Sequence, residues 1–156
     1  MKFTPGQLRD TLGLSVETFR HWKRVLPPFM DRNGHGPCFT TGDLLTGAIL
    51  WKLTDSYGIR VGHLAGISSR LSELCESAAW AALDDRLLII DIARCECQFA
   101  KAQADLRPSD LVILCPLGSI LRDLREALMK SKPTVDQEHL LFLPAEVPPR
   151  ARRLAG

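Results

Sequence analysis

Gly13 falls between two short segments that each carry the marks of a capped amphipathic helix, and this arrangement restricts the N-terminal fold more than any other feature. Thr4 can accept hydrogen bonds from a first helical turn, Pro5 suits the first helical position, and Leu8 and Leu12 share one face. Gly13 takes the left-handed conformation at little cost, which ends the helix. Ser15 caps a second helix in which Val16, Phe19 and Val25 recur at helical spacing beside Trp22, until Pro27-Pro28 stops it. Two short helices joined by a tight glycine turn predict a helix-turn-helix.

Downstream, Asp31 to Phe39 reads as a polar loop in which Asn33-Gly34 is a hairpin-turn signal. Thr40-Thr41-Gly42-Asp43 is a cluster of capping residues that opens the apolar stretch Leu44 to Leu53. Ser56-Tyr57-Gly58 connects it to a fourth helix starting at Arg60 or Val61. There Leu64, Ile67, Leu71, Leu74, Ala78 and Ala81 alternate steps of three and four, the spacing of a coiled-coil seam. A stripe facing the chain's own core has the same spacing, so both readings stand. After Asp84-Asp85, Leu87 to Ile92 reads as a buried strand, Cys97 to Ala104 as strand or helix, and Pro108-Ser109-Asp110 as a turn. Leu111 to Cys115 is a second buried strand that Pro116 ends. Gly118-Ser119 then starts an amphipathic helix with Leu117, Leu121, Leu124 and Leu128 on one face and Arg122 and Arg125 off it.

The predicted fold is α+β. A mainly helical, winged helix-turn-helix domain covers residues 1–72, and a linker helix with a small strand-and-helix dimerisation or partner region covers 73–132. A tail with prolines and arginines covers 133–156 and is loosely held. Apolar residues at 46% and charged residues at 24% match a globular chain and exclude a disordered or fibrous one. The longest uncharged apolar run, Leu111 to Leu121, has 11 residues, short of the roughly 18 that a membrane span needs. No apolar run precedes Arg9 and Asp10, so no export signal is expected, and five irregularly spaced cysteines read as reduced thiols in a cytosol. The net charge of +2 conceals an asymmetry: residues 1–70 hold nine Lys/Arg against five Asp/Glu, and residues 71–149 hold eight against thirteen. A basic N-terminal part beside an acidic remainder directs one end of the chain toward a polyanion.

The sequence resembles the DNA-binding domain of the mercury-resistance-regulator (MerR) family. Phe3-Thr4-Pro5-Gly6-Gln7-Leu8, Leu12-Gly13-Leu14-Ser15-Val16, Thr18-Phe19-Arg20-His21-Trp22 and Phe39-Thr40-Thr41-Gly42-Asp43-Leu44 follow that family's order, and Gly58-Ile59 resembles the entry to its fourth helix. Under half of the chain is covered. The resemblance implies DNA contacts, largely to the backbone, at Thr18, Arg20 and His21. The physical chemistry of the segment agrees: a helix capped by Ser15 buries Val16, Phe19 and Trp22 and turns Glu17, Thr18, Arg20, His21 and Arg24 outward, where a recognition helix meets base edges and phosphates. Lys23 joins this set although the family has an acidic residue there. Glu17 stands where many members have a basic residue. It either accepts from a cytosine amino group or caps the helix. The wing departs further, with Pro37 in place of the usual arginine, which leaves Arg32 and His35 as its DNA-binding candidates. Residues 84–156 carry nothing like the family's long coiled coil and effector loop, so its inducer chemistry does not transfer.

Other features have structural readings. Trp22 is a core residue, and Cys95-Glu96-Cys97 lacks the C-x-x-C spacing and four ligands of a structural zinc site, so no metal is expected. His63 and His139 have no partner motif, Asp84-Asp85 reads as a solvated helix end, and Arg150, Arg152 and Arg153 as solvated. No nucleophile elbow, phosphate-binding loop or zinc-hydrolase motif is present, so neither an enzyme nor a cofactor is expected. The expectation is a bacterial, cytoplasmic, nucleoid-associated regulator that binds specific double-stranded DNA as a homodimer, contacts no membrane, and can meet a protein partner through its C-terminal region. The alternatives are an architectural or excisionase-like DNA-bending factor of a mobile element, a protein-interaction module whose winged helix no longer binds DNA, and a thiol or metal sensor.

Overall fold

The structure, a computed structural model, describes residues 1–30, 32, 36–101 and 112–130. The fold is α+β: six α-helices accompany a two-stranded and a three-stranded sheet among these residues.

Strand β1 (Lys2–Phe3) pairs antiparallel with β2 (Phe39–Thr40), Phe3 opposite Phe39. Helix α1 (Pro5–Leu12) begins with a reciprocal cap, in which the Gln7 amide donates to the Thr4 hydroxyl at 3.2 Å and the Thr4 amide donates to the Gln7 side chain at 2.9 Å. Gly13, at φ 66°, ends it: the Gly13 amide donates to the Asp10 carbonyl and the Leu14 amide to the Arg9 carbonyl. Helix α2 (Val16–Val25) follows under the Ser15 cap and buries Phe19 and Trp22. The proline pair does more than stop α2. Leu26 turns extended, as a residue before proline must, and Pro27 opens the short helix α3 (Pro27–Met30), which buries Phe29.

Helix α4 (Thr41–Asp55) is the hub. It is apolar nearly all round, and Leu44, Leu45, Ile49, Leu50 and Leu53 are all buried. Its first turn is held by Thr40 and Asp43 in a second reciprocal cap. Helix α5 (Val61–Glu76) ends so close to this turn that a methyl group on Gly42 would stand 2.7 Å from the Glu76 Cα and 2.9 Å from its amide nitrogen. Backbone cannot give way as a side-chain tip can. Gly42→Ala is therefore expected to destabilise the protein by about 1–3 kcal/mol, read from the urea midpoint.

A 3-10 turn at Trp80–Ala82 leads to an antiparallel sheet of β3 (Leu87–Asp91), β4 (Glu96–Ala100) and β5 (Ile113–Pro116), with β3 in the centre. Helix α6 (Leu117–Lys130) buries Leu117, Ile120, Leu121 and Leu124. One buried apolar cluster runs from Phe3 and Leu8 through α4 and α5 to Leu88, Ile90 and Leu124.

The structure revises several expectations. Val16 is 40% exposed instead of buried, because it lies in the first turn of α2, where a side chain leans back toward the helix start and off the core. The heptad pattern ends with α5 at Glu76. Leu64, Ile67 and Leu71 face the chain's own core, while Ala78 and Ala81 lie beyond the helix. Of the ambiguous segment Cys97 to Ala104, the part up to Ala100 is strand and residues 102–104 lie outside the described residues, while α6 starts at Leu117, one residue early. Asp84 is not merely solvated: Arg125 donates two hydrogen bonds to its carboxylate, at 2.7 and 3.1 Å, which holds that carboxyl below its usual range. The Asn33-Gly34 turn, the Pro108-Ser109-Asp110 turn, His35, His139 and the tail lie outside the described residues.

Candidate nucleic-acid interface

Helix α2 presents two chemically different faces. Phe19 and Trp22 anchor the inner one: the Trp22 ring lies 5.7 Å from Phe29 and 6.3 Å from Trp51, and Phe19 meets Phe29 and Phe39 edge-on. Those rings fix the helix, so its outer side chains share a rigid base. On the outer face Glu17, Arg20, His21 and Arg24 are exposed, and Thr18 and Lys23 are half-buried. Glu17, Arg20 and Arg24 fall at steps of three and four, hence on one side.

Glu17, Arg20, Lys23 and Arg24 line an open concavity of about 640 Å³ together with Met30 of α3. Three cations face one anion there. Neither Arg20 nor Arg24 has an ion-pair partner among the described residues. At the start of α2 the Ser15 hydroxyl accepts from the Thr18 amide at 3.0 Å and lies 2.9 Å from the Thr18 hydroxyl. Both hydroxyls thus sit at the positive end of the helix dipole, beside the cationic side chains.

Arg32 is placed apart from this group. Its guanidinium makes an ion pair with Asp43 at 2.8 Å, donates to the Cys38 carbonyl and lies 5.6 Å above the Phe39 ring. Asp43 is 1% exposed and would otherwise be a buried, uncompensated charge, so Arg32 neutralises the first turn of α4. The residues expected at the interface therefore divide. The structure brings Glu17, Arg20, Lys23 and Arg24 together with Ser15, Thr18 and His21 on the same helix, while Arg32 faces inward. Met30 was not anticipated as part of the concavity. Its sequence signal, an apolar residue just past the buried Phe29, is shared by many core positions. Asp43 was read as a cap and is also the counter-ion of Arg32.

Three of the five cysteines are buried thiols. Burial pushes the Cys75 thiol from its ordinary 9.0 up to about 12 and that of Cys97 to about 11, and raises Cys115 as well. A thiol so raised stays protonated, and only the thiolate is a nucleophile or a metal ligand. Cys95 lies two residues before Cys97, in the turn ahead of β4 with its backbone at φ 55°, and is exposed where Cys97 is buried. No group of three or more metal-binding side chains occurs among the described residues. With iodoacetamide at pH 8 in the native state, Cys95 is expected to be alkylated first and Cys75, Cys97 and Cys115 only after denaturation, as peptide mass mapping would show. Native labelling of Cys75 would contradict this.

No helix among the described residues is long and apolar enough to cross a membrane. Compared with known proteins, the chain matches no family model, no curated protein and no solved structure.

Proposed function

We propose that the chain is a sequence-specific, double-stranded DNA-binding transcriptional regulator that acts as a homodimer and lays α2 in the major groove. One observation carries this reading: a rigidly anchored helix projects Arg20, Lys23 and Arg24 around a single open concavity. A helix such as α2, about 10–12 Å across with its side chains, fits a major groove roughly 12 Å wide. Arginine and lysine reach phosphates, as do the Ser15 and Thr18 hydroxyls, while Glu17 and His21 stand where base edges come within reach. The segment between α3 and β2 serves as the wing of a MerR-like layout, and the protein works in a bacterial cytoplasm, on the nucleoid. One α2 reads few base pairs, and two half-sites related by a two-fold axis overcome that limit.

A second reading has support in Met30 and Glu17: an apolar side chain and a carboxylate among cations suit an acidic protein partner. Salt dependence on DNA separates the two. Three cations per protomer give about six neutralised phosphates per dimer, and a plot of log K against log salt is expected to fall with a slope of roughly −5. Fluorescence anisotropy with a labelled 30-base-pair duplex measures it. Failure to bind the duplex at 50 mM salt would favour the protein partner.

A further inference from the structure

A cleft of about 240 Å³ opens between α1, α4 and α6. Its apolar wall is Leu12 of α1 with Ile120 and Leu124 of α6, and the indole of Trp51 projects from α4. Charge enters from two sides: Asp55 and Lys52 of α4, and Asp123 of α6. The balance is one negative charge, two carboxylates against one ammonium.

Both aspartates are exposed, and neither has an ion-pair partner among the described residues. Asp10, Asp43, Asp84, Asp85 and Asp91 each have an arginine within ion-pair distance. Asp55 and Asp123 are the two described aspartates that have none, and both line the same cleft. Lys52 lies on the same helix as Asp55 yet pairs with neither. Two exposed, unpaired carboxylates on separate helices therefore line one cleft together with an apolar wall and an aromatic ring.

We propose that this cleft is a binding site for a small organic cation with an apolar body, of the arylalkylammonium class. The ammonium group lies between Asp55 and Asp123 and within reach of the Trp51 face, and the hydrocarbon covers Leu12, Ile120 and Leu124. The cleft is open to solvent on one side and small, which suits a compact ligand of a single ring and a short amine arm. An anion would meet two carboxylates. A bare metal ion would find two acidic ligands beside an apolar wall, too few to replace its hydration shell.

The test is a two-dimensional nuclear magnetic resonance titration of the full chain with 2-phenylethylammonium chloride. Saturable shifts are expected at the Trp51 indole N–H and at the amides of residues 52–56 and 120–124, with a Kd on the order of 1 mM. The anion 3-phenylpropionate, with the same aromatic body, is expected to bind at least about tenfold more weakly. Asp123→Asn and Asp55→Asn are each expected to weaken the amine by about threefold to tenfold while the remaining spectrum stays that of the folded protein. If one variant fails to fold, the other decides. Absence of saturable shifts at the cleft, equal affinity for the anion, or folded variants that bind as the parent does would each overturn the proposal. None of these readouts involves DNA, so the site and the reading of α2 stand or fall separately.

Discussion

Replacing Arg20 and Arg24 together by alanine is expected to lower duplex affinity by roughly a thousandfold near 0.1 M salt and to flatten its salt dependence. Each protomer loses two cations and a dimer four. At about 0.9 per neutralised phosphate, the slope of log K against log salt becomes shallower by roughly 3.6. Both side chains are exposed on α2 and neither is part of an ion pair among the described residues, so stability is expected to change by no more than about 0.5 kcal/mol. Arg122→Ala, which removes an exposed cation from α6 on another element, serves as the control and leaves the slope unchanged. A double variant that binds DNA as the parent does would move the interface off α2.

Trp22→Ala acts through the other face of the same helix and is expected to cost about 3–5 kcal/mol. The ring is 1% exposed and packs against Phe29 and Trp51, so its loss leaves a cavity beside two other rings held by separate helices. Against a total stability of about 5–15 kcal/mol, the variant loses a large share, and its melting temperature falls by about 6–20 °C. DNA affinity falls with it, because the cations of α2 lose their rigid base. Differential scanning calorimetry reads the first effect. A melting temperature within 2 °C of the parent's would show that Trp22 does not anchor α2.

These two variants also mark how far the sequence could be read. The caps at Thr4, Ser15 and Thr40 and the turn at Gly13 were legible because each bond closes within three to five residues. A side chain and the amides it serves lie in one short window, whatever the rest of the chain does. The alternation of inner and outer faces on α2 was legible for the same reason, except at Val16, where the helix outruns the core that would have covered it. Pairings between distant positions were not legible. Arg32 meets Asp43 eleven positions away, and the Thr40 hydroxyl donates to Glu76 thirty-six positions away. Nothing local to Gly42 announces that α5 ends against it. The stripe from Leu64 shows a different limit: a seam for a partner and a stripe for the chain's own core have one spacing, and only the burial of Leu64, Ile67 and Leu71 in this chain's own cluster separates them. At the interface, the residue types were legible on α2 but the inward placement of Arg32 was not, because an arginine in a polar loop carries no mark of the buried acid it will meet. The cleft beside Trp51 is assembled from three helices and has no counterpart in any single stretch of sequence.

The proposed regulator must read DNA through α2. The most direct test is selection from a random-duplex library with the parent chain and Arg20→Ala side by side. Enrichment of an inverted repeat by the parent, lost or much weakened in the variant, is the predicted result, and it would establish a dimer with the recognition surface on α2. Weak binding without enrichment, vanishing by about 200 mM salt in both proteins, is the behaviour of nonspecific charge contacts and would contradict it.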